Sequence, residues 1–92
     1  MIESFRHKGL KRLFTEDDPS GVSAEQLQKI RRILTVLDAA ATIKGVDHVG
    51  FRLHRLKGDY KGFWAVTVRA NWRIVFRFED GAARDVDLID YH

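Results

Sequence analysis

Leu27, Ile30, Ile33, Leu34 and Leu37 recur at helical spacing, with Gln28, Lys29, Arg31 and Arg32 between them. A helix carrying this pattern is apolar on one face and charged on the other. Ser23 followed three positions later by Gln26 reads as a capping box, and Val22 and Leu27 occupy the flanking staple positions. The pattern therefore predicts a helix from residue 24 to about residue 41, ending before Gly45. Leu10, Leu13 and Phe14 predict a shorter helix over 8–14, and Ile2 and Phe5 a short first strand over 1–6. Between the two helices, Glu16 to Gly21 contains Pro19 and Gly21 and reads as a break.

Beyond Gly45 the period changes from helical to alternating. Phe51 to Leu56 reads as one strand, and Gly62 to Arg69 as a second with Trp64, Val66 and Val68 on one side. Trp72 to Glu79 alternates most cleanly: Trp72, Ile74, Phe76 and Phe78 face one way, Arg73, Val75, Arg77 and Glu79 the other. Ala70-Asn71 is short enough to join these two strands as a hairpin, and Asp80-Gly81 supplies a turn before a last strand over about 83–90. Helices first and consecutive antiparallel strands afterwards predict an α+β fold, two N-terminal helices packed on one face of a twisted sheet. Trp64 and Trp72 fall on the apolar parity, which predicts core packing for both. Arg73 and Arg77 fall on the opposite, wet face, about 14 Å apart along their strand, too far to grip one phosphate.

Ninety-two residues fit one small domain, 1–92. The chain has no cysteine, which removes disulfide scaffolds and thiolate zinc sites. Its longest apolar stretch, Phe63 to Val68, is strand-sized against the roughly 20 residues of a membrane span. The opening Met1-Ile2-Glu3-Ser4-Phe5-Arg6 lacks the apolar core of a secretory signal, so a cytoplasmic protein without a membrane partner is expected. The net charge of +3 is unevenly placed. Residues 52–77 hold Arg52, Arg55, Lys57, Lys61, Arg69, Arg73 and Arg77 against Asp59 alone, a local +6, whereas 78–92 carries −4. A basic segment is the electrostatic footprint of phosphate-backbone binding, although a solvated face produces the same count.

No nucleophile elbow, phosphate-binding glycine loop or zinc-protease helix is present, and His7, His48, His54 and His92 are too scattered to suggest a metal site. Acid–base chemistry remains, with His54, Lys57, Arg73, Tyr91 and His92 as its candidates. RNA can be cleaved without a metal if a base takes the 2′-hydroxyl proton, a cation stabilises the phosphorane and an acid protonates the leaving 5′-oxygen. A lysine serves as base only where cationic neighbours or burial lower its pKa.

Four blocks carry a resemblance. They are Leu53-His54-Arg55-Leu56-Lys57-Gly58-Asp59, Gly62-Phe63-Trp64, Val68-Arg69-Ala70-Asn71-Trp72-Arg73-Ile74 and the terminal Asp90-Tyr91-His92. Together with the opening Met1-Ile2 and Ser4-Phe5, this combination resembles the HigB-type toxins of the RelE/ParE superfamily of bacterial toxin–antitoxin modules. The match is dense in the second half of the chain and rests mainly on pattern over 15–50.

The resemblance implies a RelE-like fold and ribosome-dependent cleavage of mRNA in the decoding A site, without a cofactor. It implies a cognate helix-turn-helix antitoxin, HigA-like, with operator DNA reached only through that antitoxin. It also implicates the positions of His54, Lys57, Arg73, Tyr91 and His92 in cleavage. On this basis Lys57 or His54 is expected to deprotonate the 2′-hydroxyl, Arg73 to stabilise the phosphorane, and His92 or His54 to protonate the leaving group. Tyr91 would stack on or orient a nucleotide. Arg52, Arg55, Lys61, Arg69 and Arg77 would bind RNA backbone without sequence preference. The competing expectations are a ParE-like gyrase poison sharing the fold but lacking the nuclease site, and an inactive domain that binds RNA or a partner.

Overall fold

The computed structural model describes residues 1–91. Two helices, α1 (Lys8–Glu16) and α2 (Leu27–Ala39), precede a sheet of β1 (His54–Arg55), β2 (Trp64–Arg69), β3 (Trp72–Glu79) and β4 (Ala82–Asp90). The strands lie in sequence order and every neighbouring pair is antiparallel. This is the α+β arrangement that the switch of hydrophobic period predicts.

The helices cover one sheet face. Leu10 and Leu13 of α1 and Ile30, Ile33, Leu34 and Leu37 of α2 bury against Val66, Val68, Ile74, Phe76, Ala83 and Val86. Alternate strand residues build this layer, as the pleat requires. His7 caps α1, its ring Nδ1 accepting from the Leu10 N–H at 3.1 Å. Asp17 closes α1 in a left-handed conformation, φ 54°. A single 3₁₀ turn, Pro19–Gly21, then fills the expected break.

Four sequence expectations need correction. Helix α2 begins at Leu27, and Ser23 does not cap it. Residues 23–26 instead form a tighter turn in which the carbonyls of Ser23 and Ala24 accept from Gln26 and Leu27, so the backbone does the work expected of the serine hydroxyl. The strand expected over 1–6 reduces to two parallel bridges, Ile2 to Ala83 and Phe5 to Val86, which partly screen the outer edge of β4. The strand expected over 51–56 shortens to His54–Arg55 because Arg52 takes a positive φ of 53°. That turn sends Phe51 fully into the helix-side core while its carbonyl accepts from Thr67 N–H at 2.7 Å. Finally, Trp72 is 38% exposed, since it starts β3 at the hairpin and lines an open cleft with Val22 and Gln26 instead of packing beneath a helix; Trp64 is half-buried and packs on the core.

The second face of the sheet is not simply wet. Val75 is fully buried there, in a small cluster with Leu56, Phe63 and Ala65, flanked by Tyr60, Ile89 and Tyr91. The cover comes from a 3₁₀ turn, Gly58–Tyr60, between β1 and β2.

Candidate functional site

Register places the candidate residues. His54 pairs with Ala65, Ala65 with Val75, and Val75 with Asp87, so these four share one row on the helix-free face. The neighbouring row holds Thr67, Arg73 and Ile89. With strands about 4.8 Å apart and residues two apart about 7 Å, the Cα atoms of His54 and Arg73 stand about 12 Å from each other. Two long side chains can close that gap around one phosphate. Tyr91 follows Ile89 on the same parity, tied to the hairpin by its N–H donating to Asn71 O at 2.8 Å.

The His54 ring is oriented by its own loop. Its Nδ1 lies 2.8 Å from the carbonyl oxygen of Arg52. A carbonyl only accepts, so Nδ1 carries the proton and the neutral ring keeps its lone pair on Nε2. The positive φ at Arg52 directs that carbonyl, which joins a backbone feature to a tautomer. Lys57 is exposed at the N-cap of the Gly58–Tyr60 turn, one residue after the buried Leu56. Gly58, at φ 65°, lets the chain double back there. Arg73 is half-buried, and its Nη1 donates to the carbonyls of Ala70 and Trp72 at the hairpin. Among the described residues, Arg73 Nε and Thr67 Oγ1, on paired positions, are buried without a hydrogen-bond partner. An unmet donor of this kind costs about 1–3 kcal/mol, a penalty relieved if an anion arrives and Arg73 turns to it.

Two further side chains belong to this face that the sequence pattern does not single out. The Tyr60 ring meets those of Phe63 and Tyr91 edge-on, at 5.7 and 6.1 Å between centroids. An aromatic residue inside the polar turn 57–62 was the available signal. Asp87 lies diagonal to Arg73 across β3 and β4, about 7–8 Å between Cα atoms; its parity with Ile89 and Tyr91 was the signal.

The remaining cations divide. Arg77 stands on the helix-free face with Arg73, its guanidinium 4.6 Å from the Phe63 ring centre. Arg55 lies 5.0 Å over the Trp64 ring, on the helix side, and Arg69 is engaged by Glu25 at 2.6 Å. Arg52 and Lys61 are exposed in loops at either end of the 53–60 segment. His92, the fifth candidate for cleavage, lies outside the described residues. Among the described residues, no group of three or more His, Asp or Glu side chains stands together as metal ligands, and no helix is long and apolar enough to cross a membrane.

Helices on one side, a basic face with His, Arg and Tyr on the other: these features define a RelE-like domain. The structural relatives agree. The fold matches YoeB in its complex with YefM from Staphylococcus aureus, with a TM-score of 0.62 and 15% identity, over all of this chain and 98% of that one. It also matches a YafQ mutant from E. coli, with a TM-score of 0.58 and 19% identity, over 95% of this chain and 87% of the other. The chain belongs to the HigB-like toxins, the RelE-like toxins of type II toxin–antitoxin systems, whose family model matches residues 3–92. It is 47% identical to the Endoribonuclease HigB of Proteus vulgaris over 92 residues, the full length of both. As a type II toxin it has an antitoxin as its partner.

Proposed function

We propose that this toxin is an endoribonuclease that cuts mRNA in the ribosomal A site and so arrests translation in the cytoplasm. The carrying observation is the row geometry that sets His54, Arg73 and Tyr91 on the one sheet face the helices leave open. His54, with its lone pair on Nε2, takes the 2′-hydroxyl proton. The 2′-oxygen attacks phosphorus, and Arg73 turns from the hairpin carbonyls to the equatorial oxygens of the phosphorane, with Lys57 adding a second cation. The P–O5′ bond breaks and the 5′-oxygen takes up a proton. With His54 committed as base, that acid role passes to His92. Tyr91, steadied by Tyr60, stacks on a nucleotide pulled out of helical order. A helix-turn-helix antitoxin would hold the toxin silent and link it to operator DNA.

The products are a 2′,3′-cyclic phosphate and a 5′-hydroxyl, with no metal required. Incubating the protein with programmed ribosomes and mRNA, then mapping both new ends, tests this directly. Cyclic phosphate ends are expected; 5′-phosphate ends would overturn the mechanism. A supercoiling assay with purified gyrase is expected to show no inhibition.

A further inference from the structure

The helix-free face continues past the cleavage residues to a second cationic site. At the Arg77 end, the Phe63 ring is 3% exposed and covered by two guanidiniums, Arg6 at 5.1 Å and Arg77 at 4.6 Å from its centre. The two cations are therefore less than about 10 Å apart. Arg6 reaches the ring from the N-terminal segment, whose N–H donates to Val86 O at 2.8 Å, and Arg77 from β3. Asp85 pairs with Arg77 Nε at 3.5 Å, while the nearby Glu3 is already engaged by Arg84 at 2.8 Å. Gly62, at φ 93°, gives Arg77 its room: a Cβ there would lie 3.1 Å from Nη1.

We infer that Arg6 and Arg77, stacked on Phe63, form a phosphate subsite that holds RNA backbone away from the scissile bond; this rests on the proposed nuclease reading. Among the described residues the Asp85 carboxylate engages only Arg77, through Nε at 3.5 Å, so two guanidiniums face one carboxylate here and the site keeps a net positive charge for an added anion. Contact with the ring also restricts both guanidiniums in advance, which lowers the entropy lost when they grip a phosphate. Position favours RNA as the occupant. Arg77 lies on the same strand face as Arg73, about 14 Å away. Tyr91 and Tyr60, edge-on to each other and half-buried, lead from the hairpin towards Phe63 and offer apolar surface to bases. A single strand seated at Arg73 can follow that face to the second site.

The test compares wild type with R6A/R77A in cleavage on programmed ribosomes and in equilibrium binding to the same complexes at several salt concentrations. In the double variant KM is expected to rise about ten-fold and binding affinity to fall by a similar factor. Its salt dependence should be shallower by about 0.7 in the log–log slope, the share of one single-strand phosphate. R6K/R77K, which keeps charge but loses the planar fork, should fall between the two. A neutral methylphosphonate placed in turn at mRNA positions beside the cut distinguishes sources. A position that reproduces the loss identifies message, and no such position identifies ribosomal RNA. Unchanged KM, affinity and slope in a folded double variant overturn the subsite. Loss of antitoxin binding with RNA behaviour intact also overturns it, in favour of an acidic peptide. Wild type that binds through Arg6 and Arg77 but never cuts would reject the nuclease reading and leave the subsite standing.

Discussion

The two faces of the sheet are built from alternate residues of the same strands, yet they are organised by different physics. On the helix side fifteen buried residues, among those described, form one continuous core. On the other side the buried cluster is the smaller one of Leu56, Phe63, Ala65 and Val75, roofed by Tyr60 and Tyr91 and rimmed by His54, Arg73, Arg77 and Asp87. Consecutive positions make the contrast sharp. Phe76 and Val75 are both fully buried, one in each cluster. The first face secures the fold; the second is just dry enough to hold polar side chains still.

Phe76→Ala breaks the first face and is the largest effect expected. Loss of a fully buried ring costs about 3–5 kcal/mol, a large part of a small domain's stability. Val75→Ala, one residue along, is expected to cost about 2 kcal/mol or less, because fewer methyl groups leave a smaller cluster. Urea unfolding of both variants measures the ratio. Equal losses would mean that the two faces share one core.

Arg73→Ala tests the second face from the side of function. Cleavage on programmed ribosomes should fall about 10²–10³-fold, the usual loss when a charge-stabilising donor is removed. The unfolding free energy should stay within about 1 kcal/mol of wild type, since among the described residues the side chain donates to two hairpin carbonyls, those of Ala70 and Trp72. A variant that unfolds, or one that cuts normally, contradicts the division of labour between the faces.

The first face was legible in the sequence because burial repeats. The period of 3.6 in Leu27, Ile30, Ile33, Leu34 and Leu37 and the period of two in Ile74 and Phe76 both report a single continuous surface. Ends of elements were less legible. Ser23 has the chemistry of a cap, but backbone carbonyls supplied a competing solution, and no residue pattern ranks the two. The positive φ of Arg52, which truncates β1 and aims a carbonyl at His54, leaves no mark in composition. Parity placed Arg73 and Arg77 together on the second face, and resemblance supplied His54, Lys57 and Tyr91. Neither separates Arg55 and Arg69, drawn to the helix side by Trp64 and Glu25, from the cations that face outward. Tyr60 needed the turn that folds it over the sheet, and Asp87 the register of β4.

The smallest effect expected concerns charge within the helix layer. Asp18 accepts the Ser20 N–H at 3.0 Å ahead of the Pro19–Gly21 turn. That bond, then the Ser20 side chain, then the Arg12 guanidinium hold its carboxyl below the ordinary 3.8. A carboxyl depressed on folding stabilises the protein above its unfolded pKa and loses that contribution as pH falls through the folded one. Wild type should therefore lose stability below about pH 4 slightly faster than Asp18→Asn, which cannot titrate, while the two run parallel near neutrality. Thermal melts across pH 2–7 measure the difference. The helix layer stands on buried side chains, and this carboxylate sits in the turn at its edge, so its removal should leave cleavage by the opposite face unaltered. A large loss at neutral pH would mean that the turn between the helices, and not the apolar layer beneath it, holds α1 in place.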